Sequence, residues 1–231
     1  MNAAAANAKR LYEDAEMLLD QSRYASAASL AILSIEESGK ISILREMSLL
    51  TETEDLKEIW RRYRSHTQKN IAWILPDLVM KGANKISDIR EIFNPDSDHP
   101  QLLDHLKQIS FYTDCLGNKN WSIPDNIIGE SLAKQLVMTA KIFIPKSEKS
   151  IKEIELWKKH LGPIWKGVVE GLKPEDIDRL HIAVESFEEE MLSLGLKLDT
   201  KNKLSDFIKN QKMKIKKPNK RLQRTLKLVT D

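Results

Sequence analysis

Cysteine is almost missing. Cys115 is the only one in 231 residues, so no disulfide can form within the chain, and the sequence reads as the product of a reducing compartment, the cytoplasm by default. Long apolar runs are missing as well: stretches such as "SLAILSI" at 29–35 fall far short of the roughly 20 residues a membrane span requires. The start of the chain carries Glu13 and Asp14 in place of an apolar signal core, so no membrane association is expected. Glycine and proline are scarce, at eight each, and apolar residues recur at threes and fours instead of alternating. Together these features exclude a strand-rich fold and predict an all-α protein. No glycine-rich phosphate loop is present, which removes the argument for a nucleotide-hydrolysing enzyme. A chain of this length buries an ample core without covalent staples.

Charge, by contrast, is abundant and unevenly placed. Residues 201–227 hold eleven Lys or Arg against one acid, Asp206, so this segment is +10 and the remainder of the +3 chain is −7. Such a segment, with Lys214, Lys216, Lys217, Lys220, Arg221 and Arg224 at its densest part, can hold RNA or another polyanion by counterion release. A solvated end is the alternative.

The spacing predicts a first helix over about 3–20, a turn at "DQSRYA" with Ser22 as the cap of a second helix over about 25–50, and a third helix from "TETEDL" to Leu75 or just past Pro76. Short turns between them make an antiparallel bundle. "NPDSDHP" at 94–100 and "LGNKNWSIP" at 116–124 read as loops around a short helix. A helix at about 125–143 completes the bundle over residues 1–145, and helices near 147–160, 174–195 and 200–216 form a C-terminal extension over 146–231 that carries the basic segment.

On the wheel of the second helix, Leu30, Leu33, Ile41 and Leu44 form a stripe with Glu37 near its centre and Glu36 on its flank, so Glu37 is expected to be buried, and either neutral or paired with a base from a neighbouring helix. The third helix supplies candidates: Ile59, Tyr63, His66, Asn70 and Trp73 share or border one face. Arginines beside a histidine suit phosphate chemistry, because guanidinium binds nonbridging oxygens and imidazole, with a free pKa of about 6.5, moves protons near neutrality. A histidine satisfied within a core, or a structural ion pair, is the competing reading of the same residues.

"YASAASLAILSIEESGKISIL" (24–44), "RSHTQK" (64–69) and "ISFYTDCLGNKNWSIP" (109–124), in this order and spacing, resemble the AbiV family of bacterial abortive-infection proteins within the HEPN superfamily, over roughly residues 8–145. The resemblance implies an HEPN-like helical bundle, dimerisation and a role in defence against phage. It also implies a motif of Arg, four to six residues, then His, used in metal-independent RNA cleavage, which Arg61 and His66 fit. In a straight helix those two point about 140° apart, whereas Arg62 and His66 lie only about 40° apart. Three arrangements therefore stand open: a bend near Ser65, Arg62 as the partner, or Arg61 meeting the His66 of a second protomer, as the resemblance implies for composite sites. Arg64 and Lys69 match the "RSHTQK" stretch and join the RNA-binding candidates, although spacing assigns them no role. In such a ribonuclease His66 is the general base or acid, Arg61 or Arg62 stabilises charge on phosphorus, and Glu37 orients the histidine or an arginine. No metal or other cofactor is expected.

Other constellations carry less. Asp178, His181 and Glu185, with Glu188 and Glu189, share a helical face but lack the second Glu-x-x-His set of a di-metal centre, and read as a solvated acidic face. Asp96, Asp98 and His99 read as turn chemistry, Cys115 has no adjacent base, and Trp121, Trp157 and Trp165 read as core or interface anchors. A second functional reading remains beside the ribonuclease, that of a noncatalytic module binding a phage protein or the translation machinery.

Overall fold

Ala8, Leu11, Tyr12 and Ala15 fall at helical spacing along α1 (Asn2–Asp20) and are all buried, which fixes the face that α1 lays on α2 (Tyr24–Leu49). The chain reverses at Ser22, whose φ of 58° is left-handed, while the amide N–H groups of Ser22 and Arg23 donate to the carbonyls of Leu19 and Leu18. Ser22 thus closes α1. The cap position of α2 is Arg23, which makes no side-chain capping bond, so the expected role of Ser22 as an N-cap is corrected.

The computed structural model describes residues 1–50, 53–83, 92, 94, 96–115, 121–146, 148–169 and 174–196. The chain divides into two compact units, Met1–Ser150 and a second beginning at Ile151. In the first, α2 is the central helix and packs against α1, α6 (His99–Phe111) and α8 (Glu130–Phe143). In its N-terminal half most of the buried residues are small, namely Ala25, Ala27, Ala28, Ser29, Ala31 and Ser34, joined by Ile32 and Ile35. Their small volume brings neighbouring backbones close, and the Ser34 hydroxyl donates to the Ala8 carbonyl of α1 at 2.7 Å. From α8 the stripe Ala133, Leu136, Val137 and Ala140 closes the core, joined by Leu103 of α6. The described residues include one antiparallel strand pair, β1 (Asp114–Cys115) with β2 (Trp121–Ser122), and the protein is all-α as its composition predicts.

The third helix departs from expectation. It is interrupted at Ser65, whose ψ of 129° is extended, giving α3 (Thr53–Arg64), α4 (His66–Lys69), a 3₁₀ turn (Ile71–Ile74) and α5 (Leu75–Met80). The Ser65 hydroxyl accepts from the Gln68 N–H and so caps the new helix. A short α7 (Pro124–Ile127) also precedes α8, where one helix was expected.

The described residues of the second unit form a pair of helices, α9 (Ile151–Val169) and α10 (Pro174–Ser193). Leu156, Phe187 and Met191 form one cluster and Leu161 with Val184 another, bridged by Trp157, which meets Phe187 edge-on at 5.5 Å. The helix expected at 200–216 lies outside the described residues. Among the described residues no helix is long and apolar enough to cross a membrane.

Candidate functional site

Gly39 determines where the site is assembled. A Cβ at this position would stand 2.0 Å from the carbonyl oxygen of Lys69, so only glycine lets the backbone of α4 lie directly on α2. Glu36 is one turn before Gly39 on the same helix, and His66 is the first residue of α4. The close approach therefore seats the histidine over that carboxylate: His66 Nδ1 lies 2.8 Å from Glu36 Oε2.

Their environments differ sharply. The Glu36 side chain is 4% exposed, whereas that of His66 is 59% exposed. An ionised carboxylate only accepts, so the Nδ1–H donates to it, and in the neutral form of the ring the lone pair then lies on Nε2. The other oxygen, Oε1, accepts from Lys107 Nζ of α6 at 2.6 Å, and the same ammonium pairs with Asp104 Oδ1 at 2.7 Å. Burial works to lower the pKa of Lys107, but its bonds to Asp104 and Glu36 and the charges of both outweigh this, and the net shift is upward.

The expectation for Glu37 is therefore corrected in favour of its neighbour. Glu37 is partly exposed and pairs with Lys40, whose ammonium lies 5.8 Å from the centroid of the Tyr63 ring. A wheel with one apolar stripe presumes one buried side. Because α2 is enclosed from several directions, its interior positions are the Ala, Ile and Ser residues, while Leu30, Leu33 and Leu44 are only partly buried.

The arginines part company in α3. Arg62 reaches across to α2 and donates to Glu46 Oε1 at 2.8 Å, a pair largely withdrawn from water. Arg61 is 76% exposed and grips Glu58 through Nε at 3.0 Å and Nη2 at 2.6 Å. That bond lowers the pKa of Glu58 and raises that of Arg61. Arg64 is exposed. Lys69, expected to meet RNA, is instead buried, and burial is the main influence pushing its pKa down. Lys214, Lys216, Lys217, Lys220, Arg221 and Arg224 lie outside the described residues.

Asp104 and Lys107 escaped the sequence reading because they stand far from His66 along the chain. One signal was available: Leu103, Lys107 and Ser110 share the buried stripe of α6, and a lysine in such a stripe demands an acid. Donor atoms of Glu36, His66 and Asp104 lie within 4.8 Å of one another, and the Lys107 ammonium bridges the two carboxylates.

The remaining expected features fall elsewhere. His99, read as a loop residue, opens α6 and is buried, hydrogen-bonded to the Ser97 hydroxyl and the Ile71 carbonyl at 2.8 Å each. Of the acidic face on α10, Glu185 and Glu189 are solvated but Glu188 is buried. Trp121 is exposed, which excludes it from the core.

Residues 1–145 match a family model described as AbiV, of the HEPN type. No curated protein and no solved structure matches the chain.

Proposed function

The chain belongs to the AbiV family of HEPN-type proteins, and from that premise we propose that it is an abortive-infection protein that cleaves RNA without a metal and so blocks translation in phage-infected cells. The observation that carries this reading is the histidine itself. His66 is tethered through Nδ1 to a buried carboxylate while the rest of its ring faces water. A satisfied core histidine lacks the second property.

In this reading Nε2 accepts the proton of a ribose 2′-hydroxyl as the 2′-oxygen attacks its own phosphorus. The bond from phosphorus to the 5′-oxygen breaks, and the leaving oxygen takes a proton from an imidazolium. The products are a 2′,3′-cyclic phosphate and a 5′-hydroxyl. Glu36 stabilises the imidazolium as it forms. The break at Ser65 releases Arg61 and His66 from straight-helix geometry. Arg61, whose present partner Glu58 is itself solvated, and Arg64 are the arginines free to bind nonbridging oxygens, whereas Arg62 is engaged with Glu46. A second copy of the chain supplies the facing arginine if the site is composite. The basic segment 201–227 adds affinity for RNA without reading its sequence.

Incubation of the purified protein with total bacterial RNA in excess EDTA tests this. Discrete fragments ending in cyclic phosphate, absent with a folded His66→Ala variant, are expected. Intact RNA under all conditions favours the second reading, a module that binds a phage protein or the translation machinery. The exposed Phe111, Tyr112, Trp121 and Ile123 flanking the strand pair are what support that alternative.

A further inference from the structure

A carboxylate as enclosed as Glu36 is costly without a compensating charge, and a neutral imidazole offers it only one hydrogen bond. The missing charge comes from α6. We infer that Lys107, anchored by Asp104, is a positioning residue of the His66 centre: its ammonium keeps Glu36 ionised and aimed at Nδ1, and thereby holds the imidazole in the tautomer whose Nε2 is unprotonated.

Three features support this. The Lys107 side chain is as enclosed as the carboxylate it meets, at 7% exposure, and occupies the core stripe of α6 beside Leu103 and Ser110. A lysine is costly there unless both ends of its ion network are in place, and both are: Glu36 Oε1 at 2.6 Å and Asp104 Oδ1 at 2.7 Å. The second feature is the charge count. With neutral His66 the cluster of two carboxylates and one ammonium carries −1, and protonation at Nε2 brings it to zero, so the imidazolium is favoured as it forms without being imposed beforehand. Without Lys107 the count becomes −2, and the cluster draws in a proton, either on Glu36, which loosens the hold on Nδ1, or on Nε2, which removes the base. Both routes end the free, oriented Nε2.

The third feature is that the two lysines nearby are poorly placed to replace it. Lys69 of α4 lies in the fields of Glu36, Glu37, Lys40 and Lys107. Lys40 is committed to Glu37, and burial weakens the hold of Lys69 on its proton. Lys107, with two acids on it, holds its proton more tightly than an ordinary lysine.

The inference concerns how His66 is held, and its importance for catalysis rests on the ribonuclease reading. The test is NMR of full-length protein carrying isotope-labelled histidine, near neutral pH. Wild type is expected to show His66 with a protonated Nδ1 and an unprotonated Nε2. In Lys107→Met, folded by circular dichroism, that Nε2 signal is lost to imidazolium or to a mixture of tautomers, and RNA cleavage falls at least about tenfold in kcat with KM little changed. Asp104→Asn, close to isosteric, gives a smaller change in the same direction and carries the test if Lys107→Met does not fold. A Lys107→Met protein, or in its place Asp104→Asn, whose His66 resonances match wild type overturns the inference. The two readings separate cleanly: a wild type with the expected tautomer that cuts no RNA contradicts the ribonuclease and leaves Lys107 in its role.

Discussion

In the first unit a glutamate that is 4% exposed holds a histidine that is 59% exposed; in the second, Glu190 is 34% exposed and His160 only 14%. Both glutamates also take a lysine, Lys107 in one case and Lys159, at 2.6 Å, in the other. The residue types are the same and the burial is inverted. His160 donates through Nε2 to Glu190 at 2.7 Å, which leaves Nδ1, the nitrogen nearer the main chain, on an enclosed side chain. His66 is held by Nδ1 and keeps its outer nitrogen toward water. The two pairs thus differ in kind: in one the acid is buried with its charge compensated and the imidazole is exposed, which is the arrangement the proposed chemistry needs. In the set on α9 and α10 the histidine is the enclosed partner and the acid is partly solvated. Its acid has a pKa lowered chiefly by Lys159 and then by His160, as in an ordinary solvated ion pair.

The largest effect that can break this contrast is on cleavage. His66→Ala is expected to lower the rate of RNA cleavage by about 10²–10⁴-fold, while His160→Ala leaves it unchanged, as measured on the same RNA under the same EDTA. Equal losses would make both histidines structural.

Gly39→Ala sharpens the comparison from the side of packing. The added methyl meets the Lys69 carbonyl, a backbone atom that cannot turn away, so α4 must lift from α2. Overpacking of this kind costs about 1–3 kcal/mol, and denaturant unfolding should show a loss of this size in the first unit. Cleavage should fall with it, because His66 moves off Glu36. Gly162→Ala in α9 is the control, since a Cβ there meets nothing within 4 Å.

A smaller effect is expected in the pH dependence of stability. The folded-state pKa of Lys107 is raised, so the stabilisation it provides is fully present below the ordinary lysine value of about 10.4 and is lost as pH rises through the folded value. The difference in unfolding free energy between wild type and Lys107→Met should therefore shrink as the pH is taken through the alkaline range in which Lys107 loses its proton. A difference that keeps its full size through that range would contradict the assignment.

Much of the bundle is legible in the sequence because it depends on local rules. The spacing of Ala8, Leu11, Tyr12 and Ala15 sets α1, and the turn residues near 20–23 set the reversal, although Ser22 serves α1 and not α2. The break at Ser65 is less legible, since no glycine or proline marks it; a serine that can cap, followed by a helix seated on Gly39, is sufficient. The choice between Glu36 and Glu37 required knowing that α2 is enclosed on several sides, which depends on α6 and α8 arriving from far along the chain. Lys107 is a further instance: its partner Glu36 is 71 residues away, and only an apolar stripe interrupted by a lysine hinted at it.

The most direct measurement is the cleavage rate of Glu36→Gln beside Glu190→Gln on one RNA in excess EDTA. The amide places an NH2 donor where one carboxylate oxygen stood, so either Lys107 or the Nδ1–H of His66 loses its acceptor, and the tautomer that exposes Nε2 is no longer held. The account predicts a loss of at least about a hundredfold for Glu36→Gln and wild-type cleavage for Glu190→Gln. Wild-type cleavage by a folded Glu36→Gln would contradict it.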